Sequence, residues 1–140
     1  IDNEENSEYL NEIAQRNEVN VYRAKTSEKA IEILQLKKCN PVKLITNAGK
    51  DKNSFIEEVR KIIGSNFICL VYANDEKNIE WVSEMENVLF TRDTVDFYSF
   101  ADIPMSEEKI IDFAHRLEDK YCLKFKLNEN EMLHFPLVKI

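Results

Sequence analysis

The stretch FICLVYA at positions 67–73 is the strongest constraint in the chain, because six of its seven residues are apolar and the seventh is Tyr72. A run of that length with no polar alternation suits a strand covered on both faces, as in the middle of a parallel sheet. A parallel sheet needs helical crossovers, so the flanking segments must carry helical periods. They do. Upstream, Phe55, Ile56, Val59, Ile62 and Ile63 recur at helical spacing after Asn53 or Ser54, and Gly64 is a C-terminal stop. Downstream, Ile79, Val82 and Met85 space a short helix, and VLFT at 88–91 reads as another strand.

The same alternation extends in both directions. Residues 40–47, NPVKLITN, hold a short apolar run (Val42, Leu44, Ile45) between Pro41 and the Ala48-Gly49 turn. This predicts a buried strand with Asn47 at its end. Thr26 or Ser27 caps a helix whose buried stripe is Ala30, Ile31, Ile33 and Leu34, with Lys37 and Lys38 in the last turn, where cations suit the helix dipole. VNVYRA at 19–24 alternates and predicts a strand. Ser7 caps a first helix with Tyr9, Leu10, Ile13 and Ala14 on one face, ending near Asn17. That helix has no complete strand ahead of it, and Ile1-Asp2 reads as the end of one beginning upstream.

Past the strand at 88–91, FYSF at 97–100 reads as an aromatic loop. Ser106 caps a helix carrying Ile110, Ile111, Phe113, Ala114 and Leu117. LKFKL at 123–127 then alternates strictly, NEN at 128–130 is a turn, and Leu133 and Phe135 resume the pattern before Pro136. This predicts a β-hairpin over 121–140, appended to a domain over 1–120. The expected fold class is α/β, an open parallel sheet with helices on both faces.

Composition narrows the function classes. A net charge of −7 disfavours nucleic acid or an anionic membrane as principal partner. No apolar run approaches membrane-spanning length. Cys39, Cys69 and Cys122 are an odd, widely spaced set that reads as buried thiols in a reducing compartment rather than a disulfide frame or zinc site, and a cytoplasmic setting is expected. His115 and His134 are the only histidines, poor material for a catalytic dyad. No glycine-rich phosphate loop follows any strand.

In this order of elements the chain resembles a response-regulator receiver domain, the CheY-like branch of the flavodoxin-like fold, over about residues 1–120. The resemblance places Asp2 and Asn3 at the family's acidic pair, Asn47 at the phosphoacceptor and Tyr72 at the hydroxyl position, followed by Ala73. Thr91 or Arg92 falls near the family's lysine. The departures remove the chemistry. Asn47 cannot form an aspartyl phosphate, one anion stands where the family uses three, and the Tyr72 ring fills space that a phosphoryl group needs. The resemblance therefore implies a pseudo-receiver without phosphotransfer activity, cofactor or metal. It would bind a protein partner or another domain of the same polypeptide. The family's partner face would hold Trp81, Phe97, Tyr98 and Phe100. Residue by residue, plainer readings stand alongside: Asn47 as a turn residue, Tyr72 as a half-buried strand-end aromatic, Trp81 and the 97–100 cluster as core. Two rival functions remain open. One is a flavodoxin-like site for a small anion or nucleotide at Asn47, Gly49, Tyr72, Asn74 and Arg92. The other is a receiver phosphorylated on Asp51.

Overall fold

The computed structural model describes residues 4–17, 21–37, 43–47, 52–64, 67–73, 80–103 and 106–127. Their secondary structure runs α1 (Glu4–Asn17), α2 (Ser27–Lys37), β1 (Lys43–Asn47), α3 (Lys52–Ile63), β2 (Ile68–Tyr72), α4 (Glu80–Glu84), β3 (Val88–Thr91), α5 (Thr94–Asp102) and α6 (Glu107–Tyr121). Among the described residues the three strands form one parallel sheet in the order β1-β2-β3. The expected α/β class with an open parallel sheet is therefore present, and the all-apolar strand is central: Ile68, Cys69, Leu70 and Val71 are fully buried.

The ladder register fixes which side chains share a face. Asn47 pairs with Tyr72 and Tyr72 with Thr91; Ile45 pairs with Leu70 and Leu70 with Leu89. Because strand side chains alternate, Lys43, Ile45, Asn47, Ile68, Leu70, Tyr72, Leu89 and Thr91 point to one side. Helix α5 lies against that side. Its start meets the strand ends through Tyr72 and Thr94, and its last turn meets the beginning of β1 through Lys43 and Ala101. It therefore runs antiparallel to the strands, and α1 contacts it, with an Arg16–Asp102 ion pair at 3.0 Å. Helix α6 lies along β3. Its Tyr121 touches both Phe90 and Thr91, which face opposite ways, as a helix covering a sheet edge does.

Local chemistry explains the helix ends. Thr26 Oγ1 accepts the Lys29 N–H at 3.1 Å, so Thr26 caps α2. Ser27 is left to accept from Lys52 Nζ at 2.8 Å. Gly64 ends α3 at φ 85°, where a Cβ would be strained, and its N–H returns to the Arg60 carbonyl. Ser106 caps α6 through the Lys109 N–H. Ile110, Phe113, Ala114 and Leu117 follow at helical spacing, each buried.

Several expectations need correction. Residues 21–24 form no strand; Tyr22 is half exposed, so the alternation there marks no buried face. Residues 18–20 lie outside the described residues. Helix α1 starts at Glu4, which puts Ser7 inside the helix rather than at its cap. FYSF at 97–100 is not a loop but the middle of α5, capped by Asp93. No C-terminal hairpin is seen: among the described residues, 123–127 make a single parallel bridge, Lys126 to Glu86. The second arm expected beyond Asn128, and the strand end expected at Ile1-Asp2, lie outside the described residues.

Candidate functional site

The carboxyl ends of adjacent parallel strands form the crevice where open α/β sheets place ligands. Here Asn47, Tyr72 and Thr91 stand side by side in ladder register at those ends. Asn47 is exposed, Tyr72 is half-buried and Thr91 is fully buried. Asn47 and Tyr72 are direct ladder partners, and of Thr91 and Arg92 it is Thr91 that pairs with Tyr72. The Arg92 guanidinium carbon lies 5.6 Å from the Phe90 ring centre and 5.3 Å from that of Tyr121. Such stacking holds the cation by ring electrostatics. Asp2, Asn3, Gly49, Asp51 and Asn74 lie outside the described residues.

Tyr72 makes two contacts to α5 at the strand ends. The Tyr72 hydroxyl is 2.9 Å from Thr94 Oγ1, and the Tyr72 ring stands edge-on to Phe97 with centres 5.3 Å apart. Behind it lies a polar network centred on Thr91. Asp96 Oδ2, as a carboxylate, can only accept, so the Thr91 hydroxyl donates to it at 2.9 Å. Thr91 Oγ1 must then accept from the Tyr121 hydroxyl at 3.0 Å and from the Asp93 N–H at 3.1 Å. Tyr121 Oη in turn accepts the Arg92 N–H at 3.0 Å. The Thr91 hydroxyl proton and both of its lone pairs are thereby assigned, which is how a buried hydroxyl avoids a desolvation penalty.

Lys120 closes the network from outside, 2.9 Å from both Asp93 and Asp96. Hydrogen bonds to Asp93 first and Asp96 second hold its ammonium well above the ordinary lysine range. Reciprocally, Lys120 and then the Val95 N–H hold the Asp93 carboxyl below its usual value. Asp93 also caps α5, its Oδ1 accepting from Val95 N–H at 2.9 Å. Sequence reasoning missed this set. The Asp93-Thr94 pair just after a strand was an available cap signal. Lys120 and Tyr121 had none, since they reach their partners from 24 to 30 residues away.

Chemically, the three strand ends present an amide, a phenol and a saturated hydroxyl, with no carboxylate among them. Cys69 on the central strand is fully buried, and burial pushes its thiol up to about 12. Among the described residues no group of His, Cys, Asp and Glu is arranged to hold a metal ion, and no helix is long and apolar enough to cross a membrane.

The proposed partner-face aromatics separate into two kinds. Phe97 and Phe100 are 2% and 0% exposed, so they are core and cannot anchor a partner. The reason is the helix: positions three apart on α5 share its inward face. Trp81 on α4 and Tyr98 on α5 are half-buried and remain accessible. Comparison with protein-family models, with curated proteins and with solved structures returned no match.

Proposed function

We propose that the chain is a degenerate receiver-like domain of flavodoxin-like topology, which works by binding a protein partner or a neighbouring domain rather than by phosphotransfer. The observation that carries this reading is the in-register row Asn47, Tyr72 and Thr91 at the ends of three adjacent parallel strands. It sits where a receiver would carry out its chemistry, and it has no acceptor carboxylate. The packing of α1 on α5, over one face of a parallel sheet, supports the same topology. The small-anion alternative draws less support, because the Tyr72 hydroxyl is engaged by Thr94 and the Arg92 guanidinium lies against the Phe90 and Tyr121 rings.

After correction, the residues left to the proposed contact role are Trp81 and Tyr98, both half-buried. Aromatic anchors of this kind often carry about 2 kcal/mol or more of an interface. The experiment has two arms. Acetyl phosphate or beryllofluoride with Mg²⁺ should leave intact mass and melting temperature unchanged; an acid-labile adduct would overturn the inert assignment. Separately, Trp81→Ala and Tyr98→Ala should weaken capture of partners that wild type retains, with folding checked by circular dichroism. Folded variants that bind every partner normally would remove this surface.

A further inference from the structure

The segment after α6 is attached in an unusual way. Cys122 takes a left-handed conformation (φ 54°, ψ 42°) that ends the helix, and the Leu123 N–H returns to the Glu118 carbonyl at 3.2 Å. The Glu118 side chain then takes a second hold. Its Oε2 accepts the Phe125 N–H at 2.9 Å, while Oε1 lies 2.8 Å from His115 Nδ1. Phe125 is buried in the main core cluster, flanked by exposed Lys124 and Lys126. One residue on, the Lys126 carbonyl accepts the Asn87 N–H at 2.7 Å, just before β3. The Asn87 carbonyl in turn accepts from Cys69 of β2. The segment thus joins the last turn of α6 to the beginning of β3 with one buried ring, the half-buried Leu123 and Leu127 against the same core, and a few polar bonds.

We propose that residues 123–127 form a releasable strap, latched by the ionised Glu118 carboxylate. Its opening frees the Asn87 N–H and the seat of Phe125 while the parallel sheet stays folded. Elements held by few buried apolar contacts are those that open locally below the global unfolding free energy. The charge on Glu118 matters because a carboxylate accepts at both oxygens, whereas a neutral acid gives up part of that capacity. Among the described residues, the charged and titratable groups around the latch are His115 on α6 and Lys124 on the strap, with Glu86 across the Lys126 bridge. Arg60 of α3 is bonded to the Glu86 carbonyl. Burial works against ionisation of Glu118, but the Phe125 N–H, His115 and Lys124 outweigh it and hold the carboxyl below its usual range. The latch is therefore complete above the ordinary carboxyl range and weakens as pH falls through the lowered folded value.

Hydrogen exchange on the intact chain, corrected for intrinsic rates, tests this. In wild type at pH 7 the Phe125 and Asn87 amides should be protected. In Glu118→Leu both should lose protection by about 10- to 100-fold, the range set by a hydrogen bond to a charged acceptor. The Leu70 and Leu89 amides should stay unchanged. Phe125→Ala should release Asn87 in the same selective way. Should Glu118→Leu fail to fold, acidification of wild type replaces it, with Phe125 and Asn87 expected to open before the strands. Retained protection at both amides, or their loss together with the β2 and β3 amides in every arm, overturns the strap.

Discussion

Lys43 offers a quantitative prediction. Its ammonium sits at the beginning of β1, 3.0 Å from the Ala101 carbonyl and bonded also to that of Ile103, with its Nζ 5.7 Å from the Phe100 ring centre. Burial lowers it from 10.5 to about 8, and the charge of Asp102 only partly offsets this. A lysine lowered in the folded state is still protonated in the unfolded chain between those two values. The unfolded state then binds more protons, so stability rises with pH across that window. Below about 8 both states are charged and the full burial penalty stands; above 10.5 both are neutral. Between pH 7 and pH 10 the linkage comes to about 2.5 kcal/mol. The two carbonyls at the negative end of α5 favour the cation, which trims the expected gain to about 1.5–2.5 kcal/mol. Urea unfolding of wild type and Lys43→Met at both pH values measures it, because other groups titrating in this range cancel in the comparison. Wild type should gain that amount relative to the variant. Curves that stay parallel within about 0.5 kcal/mol would refute the reasoning, since a lysine with an ordinary pKa gives almost no differential below pH 10.

Thr91→Val should destabilise by about 1–3 kcal/mol in chemical denaturation, because it leaves the Asp93 N–H and the Tyr121 hydroxyl without their acceptor. Phe100→Ala should cost about 3–5 kcal/mol and behave as a core mutation, with no selective effect on binding. Cys122→Gly should raise stability by about 0.5–1 kcal/mol, since glycine adopts the left-handed cap without strain; a loss would mean that the Cys122 side chain contributes packing.

The sequence by itself determined the elements whose pattern is strong enough to need no neighbour. FICLVYA reads as a strand covered on both faces, and residues 68–72 form the middle of the three described strands. VLFT at 88–91 and the Ser106-capped helix with its Ile110, Phe113, Ala114 and Leu117 stripe were equally self-contained, because propensity, period and cap agree. Asn47 at a strand end was legible from the turn residues that follow it.

Tertiary structure decided what short patterns leave open. Four residues such as FYSF carry too little periodicity to separate helix from loop, and it is contact with the sheet face that puts Phe97 and Phe100 inside. Alternation at 21–24 and at 123–127 looked alike in sequence. Among the described residues the second seats Phe125 in the core and bridges Glu86, far upstream. Most of the candidate site was hidden for the same reason. Thr91, Asp96, Lys120 and Tyr121 form one hydrogen-bonded unit only because α5 and α6 return to the end of β3. Side-chain hydrogen bonds between distant residues leave no local trace, whereas burial leaves one at every second or fourth position.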